Sequence, residues 1–233
     1  MVDPFEVASA AELADALRME PELERRIQAA CAAGDRLRAG EIDYTPELQS
    51  ALHEILQNER GWTDLRFETA IALCEAHDIA GEALTSVLQT RRRRFDAVKA
   101  LSALNTPGVR EKLRALAKKW FLPWQDRLAV AAALSVLGDE VSGAYFHQRL
   151  VARRPGDRRA LALHLLGDLR HPLAYSTLTA IADAPEDPAR GTAIRSLGHL
   201  GDPRSIDKIR ALQSQAEVQE DALYALALLE PSA

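Results

Sequence analysis

The chain has 233 residues, and its 41 alanines and 34 leucines make up about a third of it against only 12 aromatic residues, a balance that favours helix over sheet. Hydrophobic content of 47% with 27% charged residues is that of a globular protein rather than a disordered one, and no apolar run approaches the roughly 18 residues of a membrane span. The net charge of −5 hides an asymmetry: residues 1–90 sum to −11, residues 91–160 to +10 and residues 161–233 to −4, so the middle third is a basic island.

The first segment, MVDPFEVASAAELADAL, carries acids where a secretory signal carries basic residues, which predicts a cytoplasmic location. Residues 1–62 follow no repeat and are expected to form a helical cap. Within them Ser9-Ala-Ala-Glu12 has capping-box spacing, and Thr45-Pro46 places a cap residue before a first-turn proline. Cys31 and Cys74 lie far apart with no CxxC and no clustered histidine, so neither a disulfide nor a zinc site is expected; both fit as small buried residues.

From residue 63 onward the chain is predicted to be an array of about six units, the last truncated. Aligned on Leu104, Leu137, Leu169, Leu200 and Leu229, the units step by 29 to 33 residues, with a weaker unit around Ala76. Two residues before the reference every unit is small: Ser102, Ser135, Gly167, Gly198 and Ala227. Ten before it stand Arg94, Arg127, Arg159 and Arg190; three after it stand Pro107, Glu140, Pro172 and Pro203. FDAVKALSAL and RGTAIRSLGHL carry apolar residues at i, i+3, i+4 and i+7, followed by a Gly, Asp or Pro break and a second amphipathic stretch such as VREKLRALAKK. Each unit is thus a helical hairpin that buries its apolar stripe only against its neighbours.

Strings such as SLGHLGDPRSIDKI, LLGDLRHPLAYSTL and LSVLGDEVSGAYF resemble the short HEAT-like repeats named after the phycobilisome lyases, over roughly residues 66–233. The resemblance implies an all-α, right-handed α-solenoid of short hairpins behind an N-terminal non-repeat helical cap. It implies little about function, because such arrays serve many roles.

The arginine column is expected to be structural, bridging to Asp139 and Asp202, which recur at one loop offset. Second helices line the concave face of many solenoids. Taking Leu113, Phe146, Leu178 and Ile209 as their buried positions, the outward neighbours include Lys112, Arg114, Tyr145, His147 and Arg210, with Lys118 one turn on. These six residues are the candidate partner-binding set, suited to a protein with an acidic surface. Nucleic acid is the alternative partner: Trp120, Phe121 and Trp124 interleave with basic residues in KKWFLPWQDR, and HEAT-like DNA glycosylases use Trp, Asp and Arg on a basic face, for which Trp120, Trp124 and Asp126 are the available counterparts. Arg91 to Arg94 suits phosphate or simply joins two helices. A bilin lyase or chromophore chaperone is a third possibility, resting on the family name alone. No G-x-S-x-G, P-loop or dinucleotide fingerprint occurs, and a di-iron centre built on His-Glu pairs finds only His53-Glu54. No catalytic residue, metal ligand or cofactor is therefore assigned, and the expected role is a non-enzymatic adaptor, scaffold or immunity-type regulator.

Overall fold

The computed structural model describes residues 4–151 and 156–230. Among these residues the chain is helical throughout and contains no strand. Two compact units divide at Lys112 and Leu113.

The first unit contains α1 (Ala10–Met19), α2 (Leu23–Ala39), α3 (Pro46–Asn58), α4 (Asp64–Glu75), a 3-10 segment (Ile79–Gln89), α5 (Arg94–Leu101) and the opening of α6 (Pro107–Ala117). The expected caps are in place. The Ser9 hydroxyl accepts the Glu12 N–H at 3.3 Å while the Glu12 carboxylate accepts the Ser9 N–H at 2.7 Å, and the Thr45 hydroxyl accepts the Leu48 N–H. Such caps contribute about 1 kcal/mol each by satisfying amide groups the helix leaves open. The boundary expected between residues 62 and 63 lies inside this unit, where α2 packs along α4. Both cysteines are free; Cys74 is buried, and burial followed by the neighbouring Glu68 carboxyl pushes the Cys31 thiol up to about 12. The second stretch of the weak unit winds as 3-10 helix rather than α-helix. There Gly81 sits directly on Cys74: a Cβ would come within 2.7 Å of Cys74 Sγ and 2.9 Å of its backbone nitrogen.

The second unit is a stack of hairpins: the end of α6, α7 (Trp124–Val136) with α8 (Glu140–Leu150), α9 (Asp157–Asp168) with α10 (Ala174–Ala182), α11 (Arg190–Leu200) with a 3-10 turn (Pro203–Ser205) and α12 (Ile206–Leu212), then α13 (Gln219–Leu229). The first helices α9, α11 and α13 lie side by side, each second helix also packing on the next first helix. The small-residue column explains this spacing. A Cβ on Gly198 would sit 2.7 Å from Ala225 Cα, and one on Gly167 would strike the Ser196 carbonyl oxygen. Leu163, Leu166, Ile194, Leu197 and Ala225 are fully or nearly fully buried along this seam. Burying each leucine is worth about 1.5–3 kcal/mol.

The arginine column is structural, but its partners differ from those expected. Arg94 Nε donates to the Leu88 carbonyl at 2.7 Å, Arg159 Nε to Leu150 at 3.2 Å and Arg190 Nε to Ala182 at 2.8 Å, while Arg127 reaches the Lys119 and Trp120 carbonyls. Each guanidinium therefore closes the end of the preceding helical segment, where unpaired carbonyls and the helix dipole favour a cation. Arg159 adds a two-pronged pair with Asp187 in the following loop, both bonds 2.6 Å. Asp139 and Asp202 do not bridge to the column. They are N-caps, accepting the Ser142 and Arg204 N–H groups at 2.9 Å, and their charges pair with Arg114 and Arg204. The reason is geometric: an aspartate two residues past the reference stands at the start of the second helix, where open N–H groups claim it first. Asp78 does the same in the first unit for Ala80, and His171 Nδ1 replaces the carboxylate in the α9–α10 hairpin, accepting the Leu173 N–H at 3.1 Å. The Arg91–Arg94 run is a connector: Arg94 is buried, and Arg93 binds the Trp62 and Thr63 carbonyls and Asp64 and lies over the Phe67 ring.

Candidate functional site

The repeat register builds a polar cleft along the first helices of the second unit. Five residues before the reference come His164, Arg195 and Tyr224 on α9, α11 and α13; one before it come Asp168 and His199. Residues four apart share a helix face, so both columns project from the same side of the stack. The glycine-mediated approach of the helices then closes the gaps between columns. His164 Nε2 lies 3.3 Å from Asp168 Oδ2 on its own helix, and His199 Nδ1 lies 3.4 Å from Asp168 Oδ1 on the neighbouring one. The imidazoles meet edge to face with centroids 4.8 Å apart, and the Tyr224 hydroxyl shares a 3.2 Å hydrogen bond with His199 Nε2.

Asp168 forms the floor, 6% exposed, whereas His164 and His199 are 40% and 28% exposed at the surface. The open cleft beside them measures about 650 Å³ and is lined by Thr192, Arg195, Glu217, Asp221 and Tyr224 among others. Arg195 is held twice, by an ion pair with Asp221 and by stacking over Tyr224 at 5.5 Å. Asp221 reaches this position because residue 191 is glycine; a Cβ there would collide with its carboxylate. Two imidazoles, carboxylates and a guanidinium around an open cleft can bind a cation, polarise a bound water or recognise a carboxylate.

Sequence patterns did not assign this cluster. His199-Leu200 fails a search for His-Glu pairs, and no local spacing links residues 164 and 199. The signal that finds it is columnar: the reference position minus five and minus one, compared between successive units.

The six residues expected to bind a partner are distributed less uniformly than the pattern suggests. Lys112 belongs to the first unit; Arg114, Lys118, Tyr145, His147 and Arg210 belong to the second. Leu113, Phe146, Leu178 and Ile209 are buried as expected. Lys112, Lys118 and His147 are exposed and make no ion pair among the described residues. Arg114 is tied to Asp139 at 2.7 Å, and Arg210 to Asp207 and Glu230. Tyr145 carries the Arg149 guanidinium 5.0 Å over its ring, beside a small hollow with Trp124 and Arg158. Trp124 is half-covered, but Trp120 and Phe121 stand out at 83% and 92% exposure, edge to face on one another. Among the described residues no helix is long and apolar enough to cross a membrane.

A family profile described as HEAT repeats matches residues 143–227. No curated protein matches the sequence. Among solved structures, the complex of CpcE and CpcF of phycocyanin lyase from Nostoc sp. PCC7120 aligns at 18% identity and a TM-score of 0.51, covering 99% of each chain. Human deoxyhypusine hydroxylase in complex with glycerol aligns at 19% identity and a TM-score of 0.40, covering 96% of each chain. The profile match shows HEAT repeats over residues 143–227, and the likeness to the phycocyanin lyase complex shows that the chain shares its fold.

Proposed function

We propose that this protein is a non-enzymatic scaffold that grips another protein, with an acidic surface on that partner, through the second-helix side of its repeats and the connector after α6. The observation that carries this reading is the Trp120–Phe121 pair. Two large aromatics lie almost fully in water beside the exposed Lys118, whereas every other aromatic side chain among the described residues is buried or partly covered. Exposed aromatics next to unpaired cations are the composition of interaction hot spots. Arg114, Tyr145, His147 and Arg210 extend the surface within the second unit. HEAT repeats in the matched segment, and a fold shared with two proteins that form a complex with each other, support a protein as the partner.

The test is affinity capture from native lysate, with and without nuclease, using the wild-type chain and a Trp120→Ser/Phe121→Ser variant. One near-stoichiometric protein that survives nuclease, weakens with salt and is lost with the variant is the expected result. Material that disappears on digestion makes nucleic acid the ligand and overturns the proposal, as does a partner that the variant retains at full strength.

A further inference from the structure

We propose that His164, Asp168 and His199 form a binding site for a divalent transition-metal ion of the zinc class. The proposal is independent of the partner surface, since these side chains project from the first helices.

The donor set is the first argument. Two imidazole nitrogens and one carboxylate suit zinc, cobalt, nickel or ferrous iron, whereas magnesium and calcium favour all-oxygen shells. Spacing is the second. At metal–ligand distances of about 2.0–2.1 Å, tetrahedral donors stand roughly 3.4 Å apart. The two histidine–carboxylate separations are 3.3 and 3.4 Å, and the three ligand atoms all lie within 4.8 Å of one another. A charge-assisted hydrogen bond between imidazolium and carboxylate would close to about 2.7–2.9 Å. Both separations are longer than that bond, and they run to different oxygens of Asp168, Oδ2 and Oδ1, so the carboxylate faces both imidazoles and small side-chain rotations within the 4.8 Å span bring one donor from each residue onto a single ion.

The surroundings are the third argument. Ligating histidines keep their second nitrogen on an oxygen, which sets tautomer and ring orientation. Tyr224 does this for His199: with Nδ1 facing the ion, Nε2–H donates to the Tyr224 hydroxyl at 3.2 Å. The Asp168 carboxylate, on a side chain 6% exposed, neutralises part of the ion's charge. Above it the partly exposed histidines open on the cleft, so an ion enters from solvent and a fourth position remains for water or a carboxylate steered by Arg195. Three protein ligands with one open position is the arrangement of reactive rather than purely structural metal centres.

The full-length chain, stripped with chelator, is titrated with Zn2+ by calorimetry and with Co2+ by visible absorption. One equivalent with micromolar or tighter affinity, and the intense visible bands of tetrahedral Co2+, are expected. His199→Ala and Asp168→Asn abolish uptake, His164→Gln weakens it, and Tyr224→Phe costs about 10–100-fold. His77→Asn, which removes an exposed histidine in the first unit, leaves it unchanged. Circular dichroism establishes that each variant is folded, and His164→Gln retains shape should the alanine variant not fold. No uptake by the wild type, uptake that survives in folded His199→Ala, uptake that is undiminished in folded His164→Gln, or only the weak bands of octahedral Co2+ overturns the proposal.

Discussion

Replacing Gly198 by alanine tests the claim that bare backbone contact sets the spacing of the first helices. Its added Cβ would lie 2.7 Å from Ala225 Cα and 3.0 Å from both Ala225 Cβ and the Ala225 carbonyl oxygen. Carbon atoms rest at about 3.5–4.0 Å, so α11 and α13 must separate by roughly 0.8 Å or bend. Overpacking of this kind costs about 1–3 kcal/mol, and the better helix propensity of alanine returns about 0.5–1 kcal/mol. A net loss of about 1.3 kcal/mol follows from the midpoints of these ranges, up to about 2.5 kcal/mol at their extremes, and at the midpoint lowers Tm by roughly 3–5 °C for a chain of this size. Gly34→Ala is the internal control. Gly34 is also buried in a helix, but its Cβ would meet Ala72 Cα at 3.4 Å and Ala72 Cβ at 3.6 Å, ordinary contact distances, so the propensity gain stands alone and the variant is neutral or up to about 1 kcal/mol more stable. Urea denaturation followed at 222 nm, with Tm by calorimetry, reads both signs. Equal stability of Gly198→Ala and the wild type, or equal losses for the two variants, refutes the explanation of the small-residue column.

Removing Arg159 leaves the Asp187 carboxylate and the Leu150 carbonyl without their partner, so Arg159→Ala loses about 3 kcal/mol in urea titrations, and Arg159→Lys recovers little because it lacks the planar fork. Burial by itself would raise the Asp78 carboxyl, but the Ala80 N–H, Tyr44, His53 and Gln49 overrule it and hold the group at about 2. A depressed carboxylate contributes stability that is fully present above its unfolded value near pH 4 and lost as pH falls through the folded one. Asp78→Asn therefore destabilises by roughly 2 kcal/mol at neutral pH and flattens the acid limb between about pH 4 and 2, measured by chemical denaturation across that range. Trp120→Ser/Phe121→Ser leaves Tm within about 2 °C of wild type, because both side chains are already in water; a larger drop would assign them to packing rather than to partner binding.

Hairpins, caps and the small-residue column were legible in the sequence because each depends on chemistry within one helix or one turn. The 3.6-residue spacing of apolar positions around Leu166 and Leu197, the Ser9–Glu12 box and the Thr45 cap need no distant partner. The arginine column shows where that legibility stops. Its recurrence was plain, but its partners were not, since a guanidinium on one first helix chooses among carbonyls and carboxylates brought near only when units stack. Asp139 and Asp202 were already committed to the amides beside them.

The His164–Asp168–His199 cluster lies wholly on the tertiary side. A local motif search tests neighbours in sequence, whereas these ligands come from two helices, α9 and α11, whose approach is set by Gly167 against Ser196. The sequence by itself determined that there would be parallel first helices with matching columns on one face. Only the close contact of glycine with the next backbone decided that residues 31 positions apart, Asp168 and His199, stand 3.4 Å apart, because separations of that size are governed by inter-helix packing rather than by helical period.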